Sequence, residues 1–410
     1  MGTAGSAHNP AAKRIGVVGA GLVGLAVARR LAEVLGATVT VFDKETDVAV
    51  HQSGHNSGVV HSGIYYAPGS LKATLCRRGV GLIKDFCAEH ELEYREIGKV
   101  VVARNEAEVV RLRDLEQRAH ANGVPGVKWL GAEELREIEP RVRGLAALHS
   151  PSTAIVDYRG IARAMAGDLE KHGGQLLLGR AVTGITPVGE RVGVQDGRGE
   201  RHVFDSLVVC AGLQSDAMAR LAGDTAGPAI VPFRGEYFRL VPQRADLVRG
   251  LVYPVPDPAY PFLGVHITPR IDGSVDVGPN AVLALAREGY RRRDVNLLDL
   301  GRTLAWPGTL RLFRRHWRMG AHELYGSFSK RVFTAAAQDY VPELTVRDLV
   351  RAPAGIRAQA VDRDGSLVDD FRISTLGPVT AVRNAPSPAA TASLAIAEHV
   401  VDRILERQAS

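Results

Sequence analysis

The run Gly19-Ala20-Gly21-Leu22-Val23-Gly24 restricts the fold of this chain more than any other feature. It is a G-x-G-x-x-G run lying between an apolar stretch, Ile15 to Val18, and a helical pattern with Leu25, Ala28, Leu31 and Leu35 on one face. In that context each glycine has a task. Gly19 permits the tight turn, Gly21 lets the backbone approach a pyrophosphate, and Gly24 lets the helix pack closely on the strand. The free N–H groups and positive dipole end of the helix make the loop an anion site. A second strand over residues 38–42 delivers Asp43, whose carboxylate suits ribose hydroxyls. Residues 13–45 therefore read as the opening of a Rossmann-like unit for an adenine dinucleotide, with NAD and FAD both open.

A chain of 410 residues exceeds the usual single core and is expected to divide into two domains. The net charge of +6 favours acidic small molecules or an anionic membrane surface. No aromatic-studded basic stripe points to nucleic acid. Cys76, Cys87 and Cys210 are odd in number and lack C-x-x-C spacing, so neither a disulfide framework nor a structural zinc site is expected. A reducing, cytoplasmic setting follows, with contact at the inner face of a membrane as the peripheral alternative. Residues 1–12 read as a disordered tail without a signal peptide, and no run is long and apolar enough to span a bilayer.

After Asp43 the chain concentrates small and hydrogen-bonding residues, HQSGHNSGVVHSGIYY over residues 51–66. Glycines and serines there let the backbone press against a flat or phosphate-bearing ligand. A metal site from His51, His55 and His61 is not expected, because the glycines break the helix that would align them. A helix is expected over residues 71–91, a strand over 99–103, helices over 106–122 and 132–138, and a return to the first domain near residue 154. The run Phe204 to Gly212 reads as a buried strand ending against the nucleotide. From residue 231 to 278 short strands punctuated by Pro and Gly predict an antiparallel sheet, a different layer. Arg234, Tyr237 and His266 stand among its apolar residues. Basic runs at 290–293 and 311–318 read as helical cover, either a solvated face or a membrane contact. Ser387 and Pro388 have the chemistry of an N-cap and first turn, predicting a helix from Ala389.

These stretches together resemble the D-amino-acid oxidase superfamily of FAD enzymes and, within it, the L-2-hydroxyglutarate oxidase or dehydrogenase family. The resemblance runs nearly end to end. It is carried by GAGLVGLAVA with FDKE, HQSGHNSGVVHSGIYYAPGSLKA, PSTAIVDYRG, PFRGEYFRL, YPVPDPAYPFLGVHITPRIDGSVDVGPNAVLAL, PAGIRAQAVDRDGSLVDDF and NAPSPAATAS. Ser62, where alanine is common, and residues 301–306 depart from the usual text. The resemblance implies an α/β, overall α+β, architecture. Its FAD-binding domain would be discontinuous (residues 13–90, 151–226 and 350–410), and its antiparallel-sheet substrate domain would take residues 91–150 and 227–349.

The activity it implies is oxidation of L-2-hydroxyglutarate to 2-oxoglutarate, with hydride passing from C2 to flavin N5 and electrons passing on to oxygen or a quinone. Another 2-hydroxy acid, an amino acid, or a non-catalytic nucleotide-binding module are the alternatives. The base that takes the hydroxyl proton is expected to be His61, then His266. Arg357 resembles the superfamily's carboxylate-binding arginine; Arg234 with Tyr237 or Tyr66 is expected at the second carboxylate. The implied cofactor contacts are Gly19, Gly21, Val23, Gly24, Asp43, Lys44, Ser53, Asn56, Ser57, Gly58, Val59, Val182, Cys210, Ala211, Gly212, Ser387, Pro388, Ala389 and Ala390, and no metal is implied.

Overall fold

The computed structural model describes residues 13–225, 227–258 and 263–409, so the expected N-terminal tail lies outside the described residues. They fall into two units. The first comprises the described residues up to Gly54, then Tyr158–Ile230, and those from Val368 onward; the second comprises His55–Asp157 and Val231–Leu367. Residues 55–90, 151–157 and 350–367, expected with the first domain, fall in the second unit, and 227–230, expected with the second, fall in the first.

The first unit is built on a six-stranded sheet in the order Arg372–Leu376, Val379–Asn384, Ser206–Val209, Arg14–Val18, Thr38–Phe42 and Gln175–Leu177. All neighbours are parallel except the first pair. Strands buried on both faces read as continuous apolar runs rather than alternation, which is why RIGVV and SLVV look as they do. The helix Leu22–Leu35 packs against Tyr158–Lys171 and Ser393–Ala409. That last helix starts at Ser393, not Ala389. Residues 387–392 form a turn in which Ala389 N–H donates to Pro386 O at 2.9 Å and Ala392 N–H to Pro388 O at 2.9 Å. The predicted cap chemistry is spent on that turn.

The second unit carries an eight-stranded sheet in the order Leu349–Arg351, Phe238–Leu240, Val275–Gly278, His266–Pro269, Leu251–Pro254, Lys99–Ala103, Ala146–Ser150 and Lys128–Gly131. It is antiparallel, as expected, except that Leu251–Pro254 and Lys99–Ala103 run parallel. Side chains alternate across it. Val100, Val102, Val252 and Ile267 join one apolar cluster, while Val101, Ala103, Leu251 and Tyr253 join the cluster on the opposite face. By this period Lys99 and His266 belong to the second face. Residues 290–293, expected as helical, form a turn instead, whereas 311–318 lie within the helix Pro307–Phe328.

Candidate active site

The nucleotide-binding candidates of the first unit follow the glycine logic closely. Gly19 has φ +106°, and a Cβ there would sit 2.4 Å from Cys210 O. A Cβ on Gly24 would lie 1.9 Å from Gly19 O, so helix and loop touch backbone to backbone. At Gly21 a Cβ would meet Ser53 Oγ at 2.9 Å, and that hydroxyl accepts from Leu22 N–H at 2.9 Å. The N-cap residue Gly21 makes no side-chain cap and the helix has no acid in its own first turn. Asp43 ties the loop down: its Oδ2 accepts from Ala20 N–H at 2.6 Å and its Oδ1 from Glu45 N–H at 2.9 Å. Lys44 and His51 both engage Glu45. Opposite the loop, Cys210 N–H donates to Val18 O at 2.8 Å, and a Cβ on Gly212 would stand 2.9 Å from Gln52 Oε1. Val182 is a core residue beside Val18 and Phe42. This helix end, with a cradle that side chains would fill, fits the pyrophosphate of FAD. Ser387 to Ala390 lie in the turn described above, so a helix dipole does not begin there.

Among the expected cofactor contacts, Asn56, Ser57, Gly58 and Val59 fall in the second unit. Asn56 Oδ1 accepts from Gly58 N–H at 2.8 Å, and Arg270 donates to Asn56 O at 2.9 Å. The strand Val59–Val60 then pairs with Ala154–Val156. This local turn delivers the loop that carries His61.

That loop is held by its carbonyls. His61 O accepts from the Cys76 thiol, Ser62 O from Arg77, Gly63 O and Tyr66 O from Asn122, and Tyr65 O from Arg118. Beneath it the hydroxyl of Ser62, fully buried, is met by Ser150 at 2.9 Å and Thr153 at 3.3 Å. The serine at this departure from family text thus joins a buried hydroxyl cluster in which Thr153 also donates to Ser150 at 3.2 Å. The cost of fixing the loop is met by folding rather than by substrate.

Around His61 the second unit gathers further basic groups. Burial, then Lys99, His266 and Lys72, hold the His61 imidazole well below its ordinary value, so it is neutral at pH 7. His266 is similarly lowered, to about 4, by burial and by Lys99 and Arg357, against the opposing hydrogen bond to Gly264 O. Its Nδ1 lies 2.9 Å from Gly264 O, which makes Nδ1 the N–H donor and leaves Nε2 as the proton acceptor. The ring packs on Tyr253, with centroids 4.1 Å apart. Tyr237 is pushed up to about 12 by burial, with Arg357, Asp276 and Arg270 nearby. Arg357 sits on the strand Gly355–Val361, whose Gly355 leaves no space for a Cβ, 2.9 Å from His55 O.

Two expectations change here. Arg234 is not part of this gathering: it pairs with Glu236 at 3.1 Å and donates to Arg291 O at 3.3 Å. Glu236 is raised by burial but more than compensated by Arg292, at 2.8 and 2.7 Å, and by Ser327. That is a structural ion-pair network. Tyr66 meets Lys72, whose Nζ stands 5.3 Å from its ring. The residue that sequence reasoning missed is Lys99, whose Nζ lies 4.2 Å from the Tyr253 ring and 5.3 Å from that of Tyr65. Its only signal was a lysine on the inward period of KVVVA.

A histidine acceptor beside an exposed arginine and a buried lysine can take a proton from a hydroxyl while holding an anion. A family described as FAD dependent oxidoreductase matches residues 14–403. The chain is 45% identical to the mitochondrial L-2-hydroxyglutarate dehydrogenase of Nematostella vectensis, over 96% of this chain and 90% of that protein. It is 43% identical to the L-2-hydroxyglutarate dehydrogenase of Escherichia coli strain K12, over 95% and 92%. Among solved structures, a dithionite-reduced L-alpha-glycerophosphate oxidase from Mycoplasma pneumoniae with FAD bound superposes with a TM-score of 0.78. It shares 23% identity, covering 95% of this chain and 94% of that one, a likeness of fold.

Proposed function

Because the chain belongs to the FAD dependent oxidoreductase family, we propose that it oxidises L-2-hydroxyglutarate to 2-oxoglutarate with FAD as its cofactor. The observation that carries this reading is the gathering of His61, His266, Lys99 and Arg357, joined to 43–45% identity with L-2-hydroxyglutarate dehydrogenases along nearly the whole chain. When bound, FAD supplies the acceptor for the C2 hydrogen and its electron pair. The protein does the rest. Arg357 takes the carboxylate next to C2 through its planar fork, which fixes the hydroxyl direction. A neutral histidine accepts the hydroxyl proton as the carbonyl forms, and His61 is our first candidate with His266 second. Burial and the nearby cations lower both rings, and the two carboxylates of the substrate offset the cationic part of that shift. Gly19, Gly21, Gly24, Ser53 and Asp43 hold the adenine dinucleotide end.

The electrons leave to oxygen or a quinone. A membrane contact for that exchange is supported by exposed apolar residues on two helices that also carry arginines: Leu297 and Leu298 on Leu297–Ala305 are 78% and 72% exposed, and Trp317 on Pro307–Phe328 is 63% exposed. Exposed apolar side chains on helices that also carry basic residues suit an anionic interface. No described helix is long and apolar enough to cross a membrane. Anaerobic exposure of the holoenzyme to a panel of hydroxy and amino acids tests the substrate: flavin reduction by L-2-hydroxyglutarate is expected, and reduction only by amino acids would replace this reading.

A further inference from the structure

Lys99 opens a strand in the interior of the eight-stranded sheet, opposite Leu251 on one side and Ser150 on the other. It is 1% exposed. Among the described residues no carboxylate bonds to it, and its Nζ stands over the rings of Tyr253 and Tyr65. The hydroxyl of Tyr65 is also buried with no hydrogen-bond partner among the described residues. A buried ammonium without an acid is costly, and aromatic faces return only part of that cost. An unpaired hydroxyl beside it adds to the debt. Both are satisfied at once by an anion with accepting oxygens.

The substrate proposed above brings two carboxylates, and Arg357 provides for one. Arg234, expected at the other, is taken by Glu236. His266 lies within electrostatic reach of both Lys99 and Arg357. We propose that Lys99, with the Tyr65 hydroxyl, receives the distal carboxylate of the substrate and so sets a preference for dicarboxylic over monocarboxylic 2-hydroxy acids. This rests on the reading of the chain as a 2-hydroxyglutarate enzyme.

A consequence concerns protons. The titratable groups around Lys99 are Cys76 and Lys72 from the helix Leu71–Glu89, His61 and Tyr65 from the loop, Tyr253 from the adjacent strand and His266 from the next. None of these is a carboxylate, and burial lowers Lys99 to about 7. The diacid then binds with proton uptake above that pH, and its KM climbs there while that of a monoacid does not.

The test compares L-2-hydroxyglutarate with L-2-hydroxypentanoate, which has the same carbon count but ends in a methyl group, on flavin-loaded enzyme. Lys99→Met is expected to lower the diacid-to-monoacid ratio of kcat/KM by about 10²-fold, mainly through KM of the diacid. Tyr65→Phe is expected to lower it roughly 10-fold. Equal losses for both acids, or a fall in kcat alone, would overturn the assignment. Should Lys99→Met fail to fold, Tyr65→Phe and the pH dependence of the wild-type KM decide, a diacid KM flat from pH 6 to 9 counting against it. Wild-type enzyme that oxidises neither acid would sink the parent reading instead.

Discussion

The thiol of Cys76 donates to the backbone carbonyl of His61 at 3.2 Å, so a helix side chain sets the position of the candidate base through its main chain. Burial pushes that thiol up to about 12, which makes it a poor nucleophile. Native enzyme should therefore resist maleimide at Cys76 at pH 8. Cys76→Ala should cost about 1 kcal/mol of stability and reduce kcat a few-fold. Rapid labelling at Cys76 detected by peptide mass mapping would contradict the placement.

His61→Ala should slow flavin reduction by about 10² to 10⁴ if this ring accepts the hydroxyl proton. Stopped-flow absorbance under anaerobic conditions measures it. A rate equal to wild type would transfer the role to His266, whose free Nε2 is already in the accepting tautomer.

Arg357→Lys should raise KM for the substrate by about 10 to 10²-fold while FAD content stays at wild-type level, because a point charge cannot reproduce the bidentate fork. Steady-state kinetics with a flavin-to-protein ratio separate the two. An unaltered KM would remove Arg357 from substrate recognition.

Lys99 also predicts a stability profile. Its value falls from 10.5 in the unfolded chain to about 7 in the native protein through burial. Between those values the unfolded chain holds the proton and the native chain does not, so stability rises with pH across that window. Lys99→Met should thus melt higher than wild type below pH 7, with the gap closing as pH approaches 10. Thermal denaturation at pH 6 and 9.5 checks this, and a gap that widens with pH would be inconsistent with a buried, unpaired ammonium.

Much of the fold could be read from residues alone where local signals and tertiary need agree. The glycine loop is the best case, since Gly24 must lack a side chain for a backbone contact only one turn away. The turn at Ser387 shows the opposite: a serine and proline satisfy the chemistry of a helix start and of a turn equally, and only packing after residue 392 decides. The acid that engages Arg234, Glu236, is only two residues away, but its further partners Arg292 and Ser327 are distant in sequence and invisible to spacing. Lys99 escaped notice because one lysine at the edge of an apolar run looks like a strand end. Burial on both sides of that strand, which turns it into a site residue, comes from Ala146–Ser150 and Leu251–Pro254.

The most direct measurement is an anaerobic titration of the FAD-loaded enzyme with the two enantiomers of 2-hydroxyglutarate, followed by flavin absorbance. The account predicts stoichiometric bleaching by the L form and none by the D form. A flavin that stays oxidised with both, yet is bleached by dithionite, would contradict it.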